Sequence, residues 1–149
     1  MINCKQDLTE YLHEYTMVNH FSTNPLMRSK NVRYRYLARL RRTECHINTH
    51  KRSILTVFSR YRLSCLSVKT GITIIPNTFG KGLYLLHYGY IVVNESARFG
   101  DYCVVQCGVN ISAGTSGGNH IYFGAGAKIL KNVHIPDNVI IGANAVVSM

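Results

Sequence analysis

The stretch that decides the fold is Phe123-Gly124-Ala125-Gly126-Ala127-Lys128, Ile129-Leu130-Lys131-Asn132-Val133-His134, Ile135-Pro136-Asp137-Asn138-Val139-Ile140 and Ile141-Gly142-Ala143-Asn144-Ala145-Val146. Each hexad opens with a large apolar residue and carries a smaller apolar one, Ala or Val, four places on. Stepping outward by six from Ile75 to Val147, ten of the thirteen residues met are large and apolar. The track four places on, from Phe79 through Ala97, Cys103, Val109 and Thr115 to Ala145, is apolar or small throughout. Turn-forming Gly, Asn, Pro or Ser residues recur directly after the first track, and the phase reads as unbroken from Ile75 to Val147.

A six-residue period suits neither an amphipathic helix nor an alternating strand. It suits a chain that turns a corner every six residues, three faces making a coil of about eighteen. The expected fold is mainly β, a left-handed parallel β-helix (a hexapeptide solenoid) of about four coils over 71–149. In such a solenoid each coil buries the apolar stack of its neighbour.

The rest of the chain is physically different. All 12 glycines lie at or after Gly71. Residues 1–70 hold 13 of the 17 Lys and Arg against 4 acidic residues, a balance of +9 within the whole chain's +10. Apolar residues at three- and four-residue steps predict a basic α-helical segment. Helices are expected over about 6–20, 30–43 and 50–66, with Asn24-Pro25 as a breaker. Their apolar faces are narrow, so they should pack on the coils or on a neighbouring subunit. In Arg33-Tyr34-Arg35-Tyr36 through Arg39, Arg41 and Arg42, basic and aromatic residues mix. Three readings stand: a solvated face, attraction to an anionic substrate or membrane surface, and nucleic-acid contact through phosphates and stacking. No nucleic-acid motif supports the last.

The five cysteines are odd in number and irregularly spaced, and the N-terminus lacks a signal-peptide core. Reduced thiols in the cytoplasm are expected. Cys45, His46 and His50 have no second ligand pair at zinc spacing, so no metal is expected.

The large-apolar track fails at Lys81, His87 and Gly117. Gly117 suggests a flexible loop or a poorly packed corner. His87 lies in Leu85-Leu86-His87-Tyr88-Gly89-Tyr90, and burial there would disfavour the imidazolium and leave a neutral base. A satisfied core histidine fits the same residues.

The run Gly82-Leu83-Tyr84-Leu85-Leu86-His87-Tyr88-Gly89, then Ile91-Val92-Val93-Asn94, then Gly124-Ala125-Gly126-Ala127-Lys128-Ile129, resembles the serine acetyltransferase-like branch of the hexapeptide acyltransferases. The resemblance is close over about 70–149 and loose before it. It implies acetyl-CoA as co-substrate, a homotrimer, and His87 as the general base that deprotonates a hydroxyl acceptor. It also implies that the rungs with Gly124, Ala125, Gly126 and Ala143 line the pantetheine arm, with Lys128 and Lys131 available to the CoA phosphates.

Three departures from the family pattern stand out. Leu86 and Ile72 occupy the places of two aspartates in serine-specific members. The Gly-Gly-x-x-His-Pro loop of those members has no in-phase counterpart, because Gly117-Gly118-Asn119-His120 runs straight into Ile121-Tyr122-Phe123. His120 is therefore expected at a corner. A carboxylate-bearing acceptor needs a paired charge, so these losses favour a sugar hydroxyl of the kind acetylated in surface-polysaccharide synthesis over free serine. Tyr88 and Asn94 are the expected acceptor contacts. The family continues beyond the place where Met149 stands, into a tail that caps the solenoid. A catalytically silent scaffold from a truncated acyltransferase is the alternative.

Overall fold

The computed structural model describes residues 2–50 and 52–149. Four helices come first: α1 (Lys5–Val18), α2 (Pro25–Lys30), α3 (Val32–Thr49) and α4 (Ile54–Thr70). Asn24-Pro25 does not simply end a helix. Asn24 Oδ1 accepts from Leu26 N at 2.9 Å, and Pro25 takes the first helical position, where a missing N–H costs nothing. The pair starts α2, a helix absent from the expected set. Asn31 and Ser53 cap α3 and α4 in the same way. Gly71, at φ +68°, ends α4 in the left-handed conformation that glycine adopts without strain. Lys51, inside the third expected helix, lies outside the described residues.

Twelve short strands follow: β1 (Ile72–Ile74), β2 (Tyr84–Leu85), β3 (Ile91–Val93), β4 (Arg98–Phe99), β5 (Val104–Val105) and β6 (Asn110–Ile111), then β7 (Ser116–Gly117), β8 (Tyr122–Phe123), β9 (Lys128–Ile129), β10 (His134–Ile135), β11 (Ile140–Ile141) and β12 (Val146–Val147). They form three parallel sheets, ordered β1-β3-β6-β9-β12, β4-β7-β10 and β2-β5-β8-β11. These are the three faces of a β-helix of four coils. Val93, Ile111 and Ile129 lie in register at 18-residue steps, as the period requires.

The phase is not unbroken. Leu85 pairs with Val105 and Phe79 with Phe99, each a step of 20, and Ile74 pairs with Val93, a step of 19. Two extra residues lie between Leu85 and Val93, and one is missing between Ile74 and Phe79. The inward large residues of the first coil are therefore Ile74, Phe79 and Leu85, not Ile75, Lys81 and His87. The two inward tracks stand two residues apart because strand side chains alternate. A two-residue slip exchanges one track for the other and leaves the apolar count almost unchanged. Lys81 and His87 mark that slip.

Gly117 is neither loop nor loose corner. It lies in β7, where a Cβ would come within 2.7 Å of the Phe99 ring. Its missing side chain leaves room for Phe99, which stacks on Phe79 at 5.0 Å and meets Phe123 edge-on at 5.2 Å.

The helices cover the open edge of the first coil, one polar side chain or pair to each face. Asn19 receives Leu85 N and donates to Leu83 O, extending the β2 edge. Tyr36 Oη accepts from Ile74 N at 3.0 Å beside β1. Arg41 donates to Phe79 O at 2.8 Å and also to Gly80 O, while Glu44 accepts from Asn77 N. Strand edges left bare invite association, and here the backbone groups are matched by side chains. Arg41 and Glu44 are themselves buried and paired at 2.6 Å. One apolar cluster runs from Tyr15, Tyr36, Leu37 and Leu63 into the coils. The helices thus pack on the solenoid, as their narrow faces required.

Candidate functional site

The corner between the β2-β5-β8-β11 face and the β1-β3 face carries Leu86–Tyr90 in the first coil. Below it stand Gln106–Gly108, Gly124–Gly126 and Gly142–Asn144. Backbone hydrogen bonds tie these turns into one column: Gly108 N to Gly89 O at 3.4 Å, Gly126 N to Cys107 O at 2.9 Å, and Asn144 N to Ala125 O at 2.7 Å. His87 heads the column, and Gly124, Ala125, Gly126 and Ala143 lie on it. With coils about 4.8 Å apart, the Gly124–Gly126 turn stands about 10 Å down the edge from the His87 turn. Lys128 reaches back to the same edge, its Nζ donating to Gly108 O at 2.7 Å.

The glycines of the column have a cause of their own. A Cβ on Gly124 would meet backbone atoms of the next coil at 2.7 Å, so coil-to-coil packing alone requires glycine there. Gly142 has open space around it.

His87 is exposed, and its imidazole forms no hydrogen bond with another described residue. The expected burial is therefore overturned, and with it both the burial-neutralised base and the core histidine. The two inserted residues carry this turn out of the apolar stack. Tyr88 and Tyr90 flank it at 63% and 86% exposure. Ile72 is fully buried inside β1 and Leu86 is half-buried, so neither aspartate place offers His87 a carboxylate.

What holds the turn was not visible in the sequence. Arg33 Nη1 donates to Leu85 O at 2.9 Å and Leu86 O at 2.7 Å, the two carbonyls directly before His87. The Arg33 guanidinium lies 5.6 Å over the Phe21 ring. Asn19 grips the same strand one residue earlier. The signal was the position of Arg33 beside Tyr34 on α3, but its acceptors are main-chain atoms more than fifty residues away.

Other candidates stand elsewhere. Asn94 is on the next corner, beyond β3. Its Oδ1 accepts from Ser96 N at 3.0 Å and Ser96 Oγ at 2.8 Å, closing a turn and not facing His87. Lys131 is exposed on that same corner. His120 occupies the third corner at φ +54°, its ring stacked on Tyr102 at 5.2 Å. The coil through Gly117–Tyr122 keeps its 18-residue step, so no loop protrudes there. Cys45 is buried beside Ile2 and Tyr11, and burial pushes its thiol up. Among the described residues no three His, Cys, Asp or Glu side chains converge as metal ligands. All five cysteines are free thiols.

No protein-family model matches the chain. A serine acetyltransferase of Synechococcus elongatus is 35% identical over 114 residues, which cover 69% of this chain and 47% of that protein. The chain spans about half the length of the curated relatives it matches. Among solved structures, a serine acetyltransferase of Neisseria gonorrhoeae in complex with serine superposes with TM-score 0.74 at 23% identity, covering 95% of this chain and 62% of the other. A serine acetyltransferase in complex with CoA superposes with TM-score 0.75 at 22% identity, covering 95% and 62%. At those identities the structural likeness speaks for the fold. By sequence and by fold, the chain is a hexapeptide-repeat protein related to the serine acetyltransferases.

Proposed function

We propose that this protein is an acetyl-CoA-dependent O-acetyltransferase with His87 as its general base. The observation that carries the reading is the shared edge: His87 heads the column on which Gly124, Ala125, Gly126 and Ala143 stand. A long, thin thioester laid along that edge brings its reactive end to His87. The imidazole accepts the acceptor's hydroxyl proton as the oxygen attacks the thioester carbonyl, and the CoA thiolate leaves and is protonated. A base for this step must sit within hydrogen-bond reach of the hydroxyl, and the exposure of His87 leaves it open to one. Lys128 adds positive charge to the same edge, its Nζ held at Gly108 O one turn below Gly89. In the family's arrangement CoA lies between two subunits of a homotrimer, and the exposed edge fits that assembly.

For the acceptor, the site residues favour a sugar hydroxyl over serine. Residues 82–94 carry no Lys or Arg, and Arg33 is committed to the Leu85 and Leu86 carbonyls. A free amino acid needs a charge partner for its carboxylate, whereas exposed Tyr88 and Tyr90 offer faces to a sugar ring. Free thiols throughout fit a cytoplasmic, reducing setting. The test is thiol release from acetyl-CoA against serine, homoserine, nucleotide-sugars and oligosaccharides. Turnover with a sugar alone supports the reading in full, and turnover with serine alone retains the transfer and overturns the acceptor. The lack of a carboxylate beside His87 favours a second reading, a silent scaffold. Absence of both acetyl-CoA binding in calorimetry and turnover on any acceptor selects it, and tight acetyl-CoA binding counts against it.

A further inference from the structure

Helix α4 is packed inside out. Its buried residues are Thr56, Ser59, Leu63 and Thr70, three of the four polar. Its outward side carries Ile54, Val57, Phe58, Tyr61 and Val68, each between 56% and 84% exposed. These five recur at three- and four-residue steps and so form one apolar stripe along the helix. A stripe of this size facing solvent marks an interaction surface.

Beside the stripe, between α3 and α4, runs an open groove of about 700 Å³. Its cations include Arg35, Arg39, Arg42, Arg62 and Lys69, and no acidic residue lines it. From residue 25 to residue 70 the chain carries 12 Lys and Arg and one acidic residue, Glu44. Glu44 is buried and paired with Arg41, so it offers the surface nothing. Burial, with the charges of Arg62 and Arg42, holds the Arg39 guanidinium below its ordinary range. The acidic residues of α1 are directed elsewhere: Glu10 pairs with Lys81 at 3.3 Å, and Glu14 accepts from Tyr102.

We propose that α4 and the adjoining α3 groove dock this protein on an anionic lipid bilayer, the apolar stripe entering the headgroup boundary and the groove cations meeting lipid phosphates. An exposed apolar helix face with basic flanks is the pattern of a helix lying in the membrane interface. Charge decides against a second copy as occupant, because two such faces brought together set cation against cation with no counter-charge. No described helix is long and apolar enough to cross a membrane, so the contact is peripheral. It does not depend on the catalytic reading.

The experiment is flotation of the full chain with phosphatidylcholine vesicles and with phosphatidylcholine–phosphatidylglycerol vesicles, at low and high salt. Sedimentation velocity is run in parallel. The expected result is recovery with anionic vesicles only, weakening as salt rises. Arg35→Gln and Arg42→Gln, at exposed sites, should each reduce the binding constant about fivefold, from about 1 kcal/mol per basic residue near the surface. Phe58→Ser combined with Tyr61→Ser should abolish recovery while circular dichroism stays unchanged. Equal recovery with uncharged vesicles, no recovery at low salt, or loss of self-association in the Phe58 and Tyr61 variant without any vesicle binding overturns the proposal.

Discussion

Arg33 holds Leu86: its Nη1 donates to the Leu86 carbonyl at 2.7 Å, the peptide unit that leads directly into His87. A second bond to Leu85 O makes the grip two-pointed. A helix of the basic segment thereby fixes the turn at the head of the candidate site. Arg33→Met should lower kcat about tenfold to a hundredfold with a smaller change in KM, because misplacing a catalytic group by about 1 Å costs on that order. Arg33→Lys keeps a donor and should recover part of the loss. Steady-state thiol release measures both. A fall in thermal stability with kcat unchanged would reduce Arg33 to a structural role.

The Arg41–Glu44 pair should be the most sensitive point of the contact between helices and coils. Glu44→Leu leaves the buried guanidinium without a counter-charge and removes the acceptor for Asn77 N. Breaking a buried pair from one side costs about 3–5 kcal/mol. Arg41→Met with Glu44→Leu should cost less than the sum of the single changes. Denaturant midpoints of the four proteins provide the cycle.

Gly117 tests the aromatic stack. A side chain there meets the Phe99 ring at 2.7 Å or less, so Gly117→Val should destabilise by about 1–3 kcal/mol through overpacking. Adding Phe99→Leu should return much of that loss, read as a shift in thermal midpoint.

Alkaline pH should weaken the fold in a defined window. Burial pushes the Cys103 thiol from 9.0 to about 11 and the Tyr36 hydroxyl from 10.0 to about 12. Each group is held protonated by folding, so its contribution is complete below its unfolded value. It is lost as pH climbs through 9 to 11 for Cys103 and through 10 to 12 for Tyr36. Thermal midpoints should be flat below about pH 9 and fall above it. Cys103→Ala should shrink the fall that begins near pH 9, leaving there the share of the Cys45 thiol, which burial also pushes up.

The coils from Val93 onward were legible in the sequence because every inward position repeats at a fixed step and each repeat checks the last. The first coil was not. Its slip replaced Lys81 and His87 by Phe79 and Leu85, residues already counted as apolar on the second track. A shared edge is what the structure gives the quoted rungs: Leu86-His87-Tyr88-Gly89 and the Gly124–Gly126 turn stand in one column. The exposure of His87 was hidden, because two inserted residues decide it and local apolarity pointed the other way. Asn94 read as an acceptor contact, yet its carboxamide closes its own turn on Ser96. Asn19 and Glu44 carried no signal, and Tyr36 and Arg41 read as part of a basic, aromatic surface stretch although both are buried. Their partners are backbone groups 33 to 66 residues away, and no periodicity records such a bond.

The direct measurement of the central claim is acetyl-CoA thiol release by the intact chain and by His87→Ala, with an accepted hydroxyl substrate. General-base catalysis contributes about 10²–10⁴-fold. His87→Ala should therefore lose activity on that scale while acetyl-CoA binding in calorimetry is retained, since the coil edge below His87 is untouched. Turnover in His87→Ala equal to that of the unaltered chain would contradict the account.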